Sequence, residues 1–112
     1  MWHHATLESV QILSWKSQPG VLGFPESALK ELEVMVADNP NHRWVIDADG
    51  IHLLTSESIA LLIAVVRKVG LSGGQMCLAR PMPSVSAVLR MTRLVKLLPL
   101  FDDLPAAIAS MR

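Results

Sequence analysis

The sequence predicts an α/β domain: a mixed, largely parallel β-sheet flanked by about four helices. Short apolar runs bounded by turn residues alternate with longer stretches of helical period, the pattern of strand–helix–strand units. Residues 44–47 are apolar without interruption up to the closing carboxylate of Asp47, as in a central strand covered on both faces. At 112 residues, with no linker, repeat or low-complexity stretch, the chain reads as a single domain, 1–112, large enough for one core without disulfide or metal staples.

Taken in order, Trp2, His3 and His4 fall in a segment expected to fray. Residues 10–15 alternate apolar and polar side chains, as in an edge or half-buried strand, and 20–24 follow a Pro-Gly turn as a short second strand. Pro25 suits a first helical position, and Leu29, Leu32 and Val36 then share one face up to Asn39-Pro40, where proline ends the helix. The central strand 44–47 leads to a second helix, 56–69. Gly73-Gly74 is a turn before a strand at 75–79. Those glycines follow a helix and precede a strand, the wrong order for a phosphate-cradling loop. Ser84 is the expected N-cap of a third helix, 98–101 the last strand, and Asp103 the cap of a short final helix.

Composition narrows the function. Formal net charge is zero and no basic run occurs, which disfavours nucleic-acid binding through phosphate neutralisation. The longest apolar run, 59–66, is too short to cross a bilayer, so direct membrane insertion is not expected. The lone Cys77 sits in an apolar strand as a core residue, and together with the lack of a signal pattern this points to a reducing cytoplasm. Half the residues are hydrophobic and 18% are charged, a balance that reserves apolar surface for a partner. Asp47 and Asp49 close a strand as a phosphoacceptor aspartate would. The second acidic cluster and the lysine after the last strand that such chemistry needs are missing. No catalytic constellation, metal-ligand spacing or cofactor motif is present, and His52 stands alone.

Attention falls on the start of the second helix, where Thr55, Ser56, Glu57 and Ser58 meet the free backbone N–H groups and partial positive charge of a helix N-terminus. The helix is apolar nearly all round. Ile59, Leu62, Ile63 and Val66 are expected to face the sheet, leaving Leu61, Ala64 and Val65 as the apolar centre of a partner or self-association surface.

From Val45, Ile46 and Asp47, through residues 53–62, Gly73-Gly74, 85–94 and Leu100-Phe101, the chain resembles the STAS domain family, which includes bacterial anti-sigma factor antagonists. The resemblance implies the fold deduced above. It also implies a non-enzymatic role in transcription regulation, with an anti-sigma factor/serine kinase or another STAS-domain protein as partner, or a homodimer. It makes Asp47 structural, holding the loop before the helix. Members controlled by phosphorylation carry Asp-Ser-Ser-Gly or Asp-Ser-Thr-Gly, the second hydroxyl taking the phosphate. Alignment on the following helix places Thr55 at the aspartate, Ser56 at the first serine, Glu57 at the phosphoacceptor and Ser58 at the glycine. A fixed anion replaces the acceptor. Glu57 carries about one negative charge where phosphoserine carries nearly two, so it imitates a phosphorylated state only in part. The departure also raises an alternative: a STAS subunit or scaffold of a transporter or stressosome-like complex, sensing a small ligand beside the same loop.

Overall fold

The computed structural model describes residues 2–16, 26–38 and 42–111. Within them the chain runs β1 (Trp2–Leu7), β2 (Val10–Trp15), α1 (Glu26–Asp38), β3 (Arg43–Asp47), α2 (Ser56–Leu71), β4 (Gln75–Ala79), α3 (Pro83–Met91), a 3₁₀ turn (Leu94–Lys96), β5 (Leu100–Phe101) and α4 (Leu104–Ser110). β1 and β2 pair antiparallel, and β2 to β5 are parallel. The spatial order β1-β2-β3-β4-β5 is the chain order. Right-handed crossovers that all advance in one direction put their helices on one face of the sheet.

The side chains agree with that rule. Leu13, Trp15, Trp44, Ile46, Met76 and Leu78 pack with Leu29 and Leu32 of α1, Leu62 and Val66 of α2 and Leu89 of α3. On the other face Val10, Val45, Cys77 and Ala79 meet Ala107, Ile108 and Met111, the last helix and its cap. The period-2 alternation of β3 thus sends Trp44 and Ile46 to one layer and Val45 to the other. Cys77 is a buried core residue, as expected. Burial pushes its thiol up to about 11 against a lesser opposing effect of the Ser110 hydroxyl, so it is protonated and inert at neutral pH.

Several expectations need correction. The N-terminus is not frayed: it forms β1, joined to β2 by a two-residue turn in which Glu8 and Ser9 have φ of 53° and 67°. Positive φ at both positions is the type I′ geometry that matches strand twist. The Trp2 indole N–H donates to the Ala28 carbonyl at 2.8 Å, and its ring meets Trp15 edge-on at 5.2 Å, which fastens β1 to α1. Met82, not Ser84, occupies the N-cap position of α3, and it makes no side-chain capping bond. Pro83 at the first helical position, with its preset φ, fixes the start, and the Ser84 hydroxyl instead donates to the His52 carbonyl at 3.4 Å. The last strand is shorter than 98–101 because the 3₁₀ turn uses the preceding residues, and Leu98 is a buried core side chain. The expected strand at 20–24 and the Pro25 and Asn39-Pro40 helix boundaries lie outside the described residues.

Other expectations hold. Asp103 caps α4, accepting from the Ala106 N–H at 2.7 Å. Gly73 has φ 86°, and a Cβ on Gly74 would lie 2.7 Å from the His42 carbonyl oxygen. Both turn glycines are therefore demanded by geometry. Among the described residues no helix is long and apolar enough to cross a membrane.

Candidate functional site

Between β3 and α2 the chain is pinned at alternate points. The Ala48 N–H bonds the Ala79 carbonyl at 2.8 Å and the Ile51 N–H bonds the Ala48 carbonyl at 2.9 Å. The side chains of Ala48, Ile51 and Leu54 are buried, while those of Asp49, His52 and Leu53 stay in solvent. Thr55 then turns extended and caps α2: its Oγ1 accepts from the Ser58 N–H at 3.1 Å and lies 2.9 Å from the Ser58 hydroxyl. Threonine is a favoured N-cap residue, and its hydroxyl fills that role here without adding charge. Counting from the cap, Glu57 is the second residue of the helix.

Thr55, Ser56 and Glu57 are exposed, and Ala60, Ala64, Arg67, Lys68 and Leu71 continue the exposed side at helical spacing. Leu61 is half-buried against the core. Two assignments are overturned. Ser58, at 2% exposure, and Val65, at 1%, point into the interior. The buried arc is Leu62, Val65, Val66 and Val69, rotated from the one the sequence suggested. Ile59 and Ile63 lie half-buried on its flank. The N-terminal half of the exposed side carries the small side chains of Ala60 and Ala64, with Leu53, at 51% exposure, at its head.

Asp47 anchors this end of the sheet. Its carboxylate is buried and accepts from the Asp49 N–H at 3.2 Å, the Ser14 hydroxyl at 3.4 Å and the Arg80 Nε at 3.0 Å, with Arg80 Nη2 on its other oxygen. Burial pushes the carboxyl upward, but the Arg80 hydrogen bonds, the Asp49 N–H, the Arg80 charge and the Ser14 hydroxyl together outweigh it and hold the pKa below the ordinary aspartate value. The bond from the Asp49 N–H ties the carboxylate to the first residues of the loop. Arg80 was not anticipated from sequence. Its backbone adopts φ 53°, a left-handed conformation unfavourable for a side chain with Cβ, and its N–H bonds the Phe101 carbonyl at 2.9 Å. The signal was available in the register: Ala79 is the partner of Asp47, so the residue that follows β4 leaves the sheet beside that carboxylate.

Above this pair lies an open cleft of ≈ 430 Å³ lined by Ser14, Lys16, Asp47, Asp49, His52 and Arg80, among others. It adjoins the loop that leads to Thr55. The cleft lies at the carboxyl ends of the parallel strands, although the unreversed strand order gives it no topological switch point.

Solved structures share this fold, three of them as follows. An anti-sigma-factor antagonist (STAS) domain protein from Planctomyces limnophilus superposes with a TM-score of 0.82 at 16% identity, covering 98% of this chain and 97% of that one. An anti-sigma factor antagonist from Mycobacterium paratuberculosis gives 0.81 at 22% identity, covering 100% and 93%. The murine Solute Carrier 26 family member A9 anion transporter gives 0.73 at 15% identity, with 94% of this chain matched to 18% of the transporter. No curated protein matches the sequence significantly. The family model for the STAS domain matches residues 25–107, which hold the loop, the α2 start and the Asp47–Arg80 pair, and the chain belongs to the STAS domain family.

Proposed function

We propose that this domain is a non-enzymatic regulatory interaction module that docks through the exposed start of α2 on an anti-sigma factor/serine kinase or on another STAS-domain protein. The observation that carries this reading is the position of Glu57: exposed, in the first turn of α2, and at the head of a side of Ser56, Ala60 and Ala64 that a partner can approach closely. The structural likeness to anti-sigma factor antagonists supports it.

A charge count supports a phosphomimetic role for Glu57. The family's unmodified turn has one carboxylate, its aspartate; here Thr55 has none and Glu57 has one. Phosphorylation of a relative adds nearly two further charges. The turn of this chain thus keeps the total of an unmodified member but carries it at the acceptor's place. The result is a fixed, weak version of the modified state that no kinase can set or reset at residue 57. The test is Glu57→Ser, assayed for phosphate incorporation by a partner serine kinase and for affinity. We expect incorporation at the new hydroxyl and altered binding; unchanged affinity for every partner tried refutes the switch role.

A second reading, a STAS subunit or scaffold of a transporter or stressosome-like complex that senses a small ligand, is favoured by the charged cleft beside the loop and by the likeness to part of an anion transporter. Affinity purification from the native host followed by mass spectrometry separates the two. Recovery of a kinase or sigma regulator supports the first, and recovery of a membrane transport protein the second.

A further inference from the structure

We propose that β1 is a self-association edge, on which a second copy of this chain adds its own β1 antiparallel about a two-fold axis. In the hairpin, Leu7 and Val10 flank a two-residue turn and so form a hydrogen-bonded pair. Alternation then makes His4 and Thr6 residues whose main-chain N–H and C=O groups aim away from β2. Those groups have no main-chain partner among the described residues, where β1 is the outermost strand. Only an extended chain matches such a row of donors and acceptors.

Among the described residues the features that usually protect an edge are missing. WHHATL contains no lysine, proline or acidic side chain, its pairing with β2 runs through the strand without a bulge, and its outer five residues are exposed. Apolar surface flanks the edge on both faces of the sheet. On the α4 side Leu7, at 52% exposure, and Ile12 line an open groove of ≈ 580 Å³ with Leu104, Pro105 and Ile108. On the α1 side Trp2 adjoins Met35 and Val34, the latter 60% exposed, beside the oppositely charged Lys30 and Glu31.

A second copy is the occupant these features fit. Antiparallel pairing about a two-fold axis sets identical rows of groups against each other, so one strand satisfies its own image. The formal net charge of the chain is zero and the strand carries no lysine, arginine, aspartate or glutamate, so no net charge repulsion between copies opposes the approach. Pairing joins the apolar grooves of the two copies along each face and continues the sheet across the axis. The α2 start is left clear, so this interface is independent of the reading of Glu57.

Sedimentation of the intact chain across the micromolar to millimolar range tests the proposal. We expect a concentration-dependent dimer. Thr6→Pro deletes an outward N–H without removing a bond to β2, and Ala5→Lys places a charge in the junction; each is expected to weaken self-association at least about tenfold with an unaltered circular dichroism spectrum. Glu57→Ser is expected to leave the dimer unchanged. Should either β1 variant unfold, hydrogen exchange of the unmodified chain decides: the His4 and Thr6 amides slow as concentration rises. A monomer throughout, a dimer indifferent to both β1 substitutions, or concentration-independent exchange at His4 and Thr6 would each overturn the proposal.

Discussion

Arg80 grips Asp47 through two nitrogens across the carboxyl ends of β3 and β4, and the two partners differ in exposure: the aspartate side chain is 6% exposed and the arginine 42%. The carboxylate is the partner that cannot be left alone. Arg80→Ala is expected to lower the unfolding free energy by about 2 kcal/mol, less than the roughly 3–5 kcal/mol of a fully buried pair because the guanidinium is partly solvated. Arg80→Lys is expected to restore only part, since an ammonium lacks the planar fork. Urea titration reads both, and loss of less than about 0.5 kcal/mol would show the pair to be ornamental.

The same pair sets an acid limb. The folded pKa of Asp47 lies below its unfolded value of about 3.9, so as pH falls the unfolded chain takes up the proton first. Stabilisation from Asp47 is therefore complete above the unfolded pKa and is lost as pH falls through the folded one. Thermal midpoints measured from neutral pH down are expected to drop more steeply below about pH 4 in the native chain than in Asp47→Asn. Parallel curves would contradict this.

At the start of α2, stability and recognition are expected to separate. Thr55→Ala removes the hydroxyl that accepts from the Ser58 N–H and should cost about 1 kcal/mol. Glu57→Ser loses only an exposed charge near a helix N-terminus, about 0.3–1 kcal/mol, yet should alter partner affinity. Denaturation and binding measured on the same two variants reveal the split.

Two glycines should respond with opposite sign. A Cβ at Gly70, in the last turns of α2, meets nothing within 4 Å, so Gly70→Ala is expected to stabilise by about 0.5–1 kcal/mol. At Gly74 the added carbon lies 2.7 Å from a backbone oxygen of His42, so Gly74→Ala must displace the β3–β4 junction and should destabilise by at least about 1 kcal/mol. Melting temperatures of the two variants on either side of the native value check the assignment.

Where the fold was legible in the residues, periodicity made it so. The uninterrupted run before Asp47 and the carboxylate of Asp103 ahead of Leu104 announced a buried strand and a capped helix without any tertiary knowledge. The β1–β2 hairpin was hidden because Glu8 and Ser9 adopt positive φ without the glycine or asparagine that signals such a turn. In α2 the apolar residues run almost all round, so the sequence left the rotation of the buried arc undetermined; only packing against α1 and the sheet turned Val65 inward and Ala60 outward. Arg80 escaped notice because its role arises from the register between two strands rather than from any local pattern.

Identity between spatial and chain order has one last consequence. Each strand of the parallel set is laid beside the one made just before it, with its crossover helix closing over the fresh pair. No strand must thread between two others already in place, so a nascent chain can assemble as a one-way zipper, every completed unit serving as template for its successor.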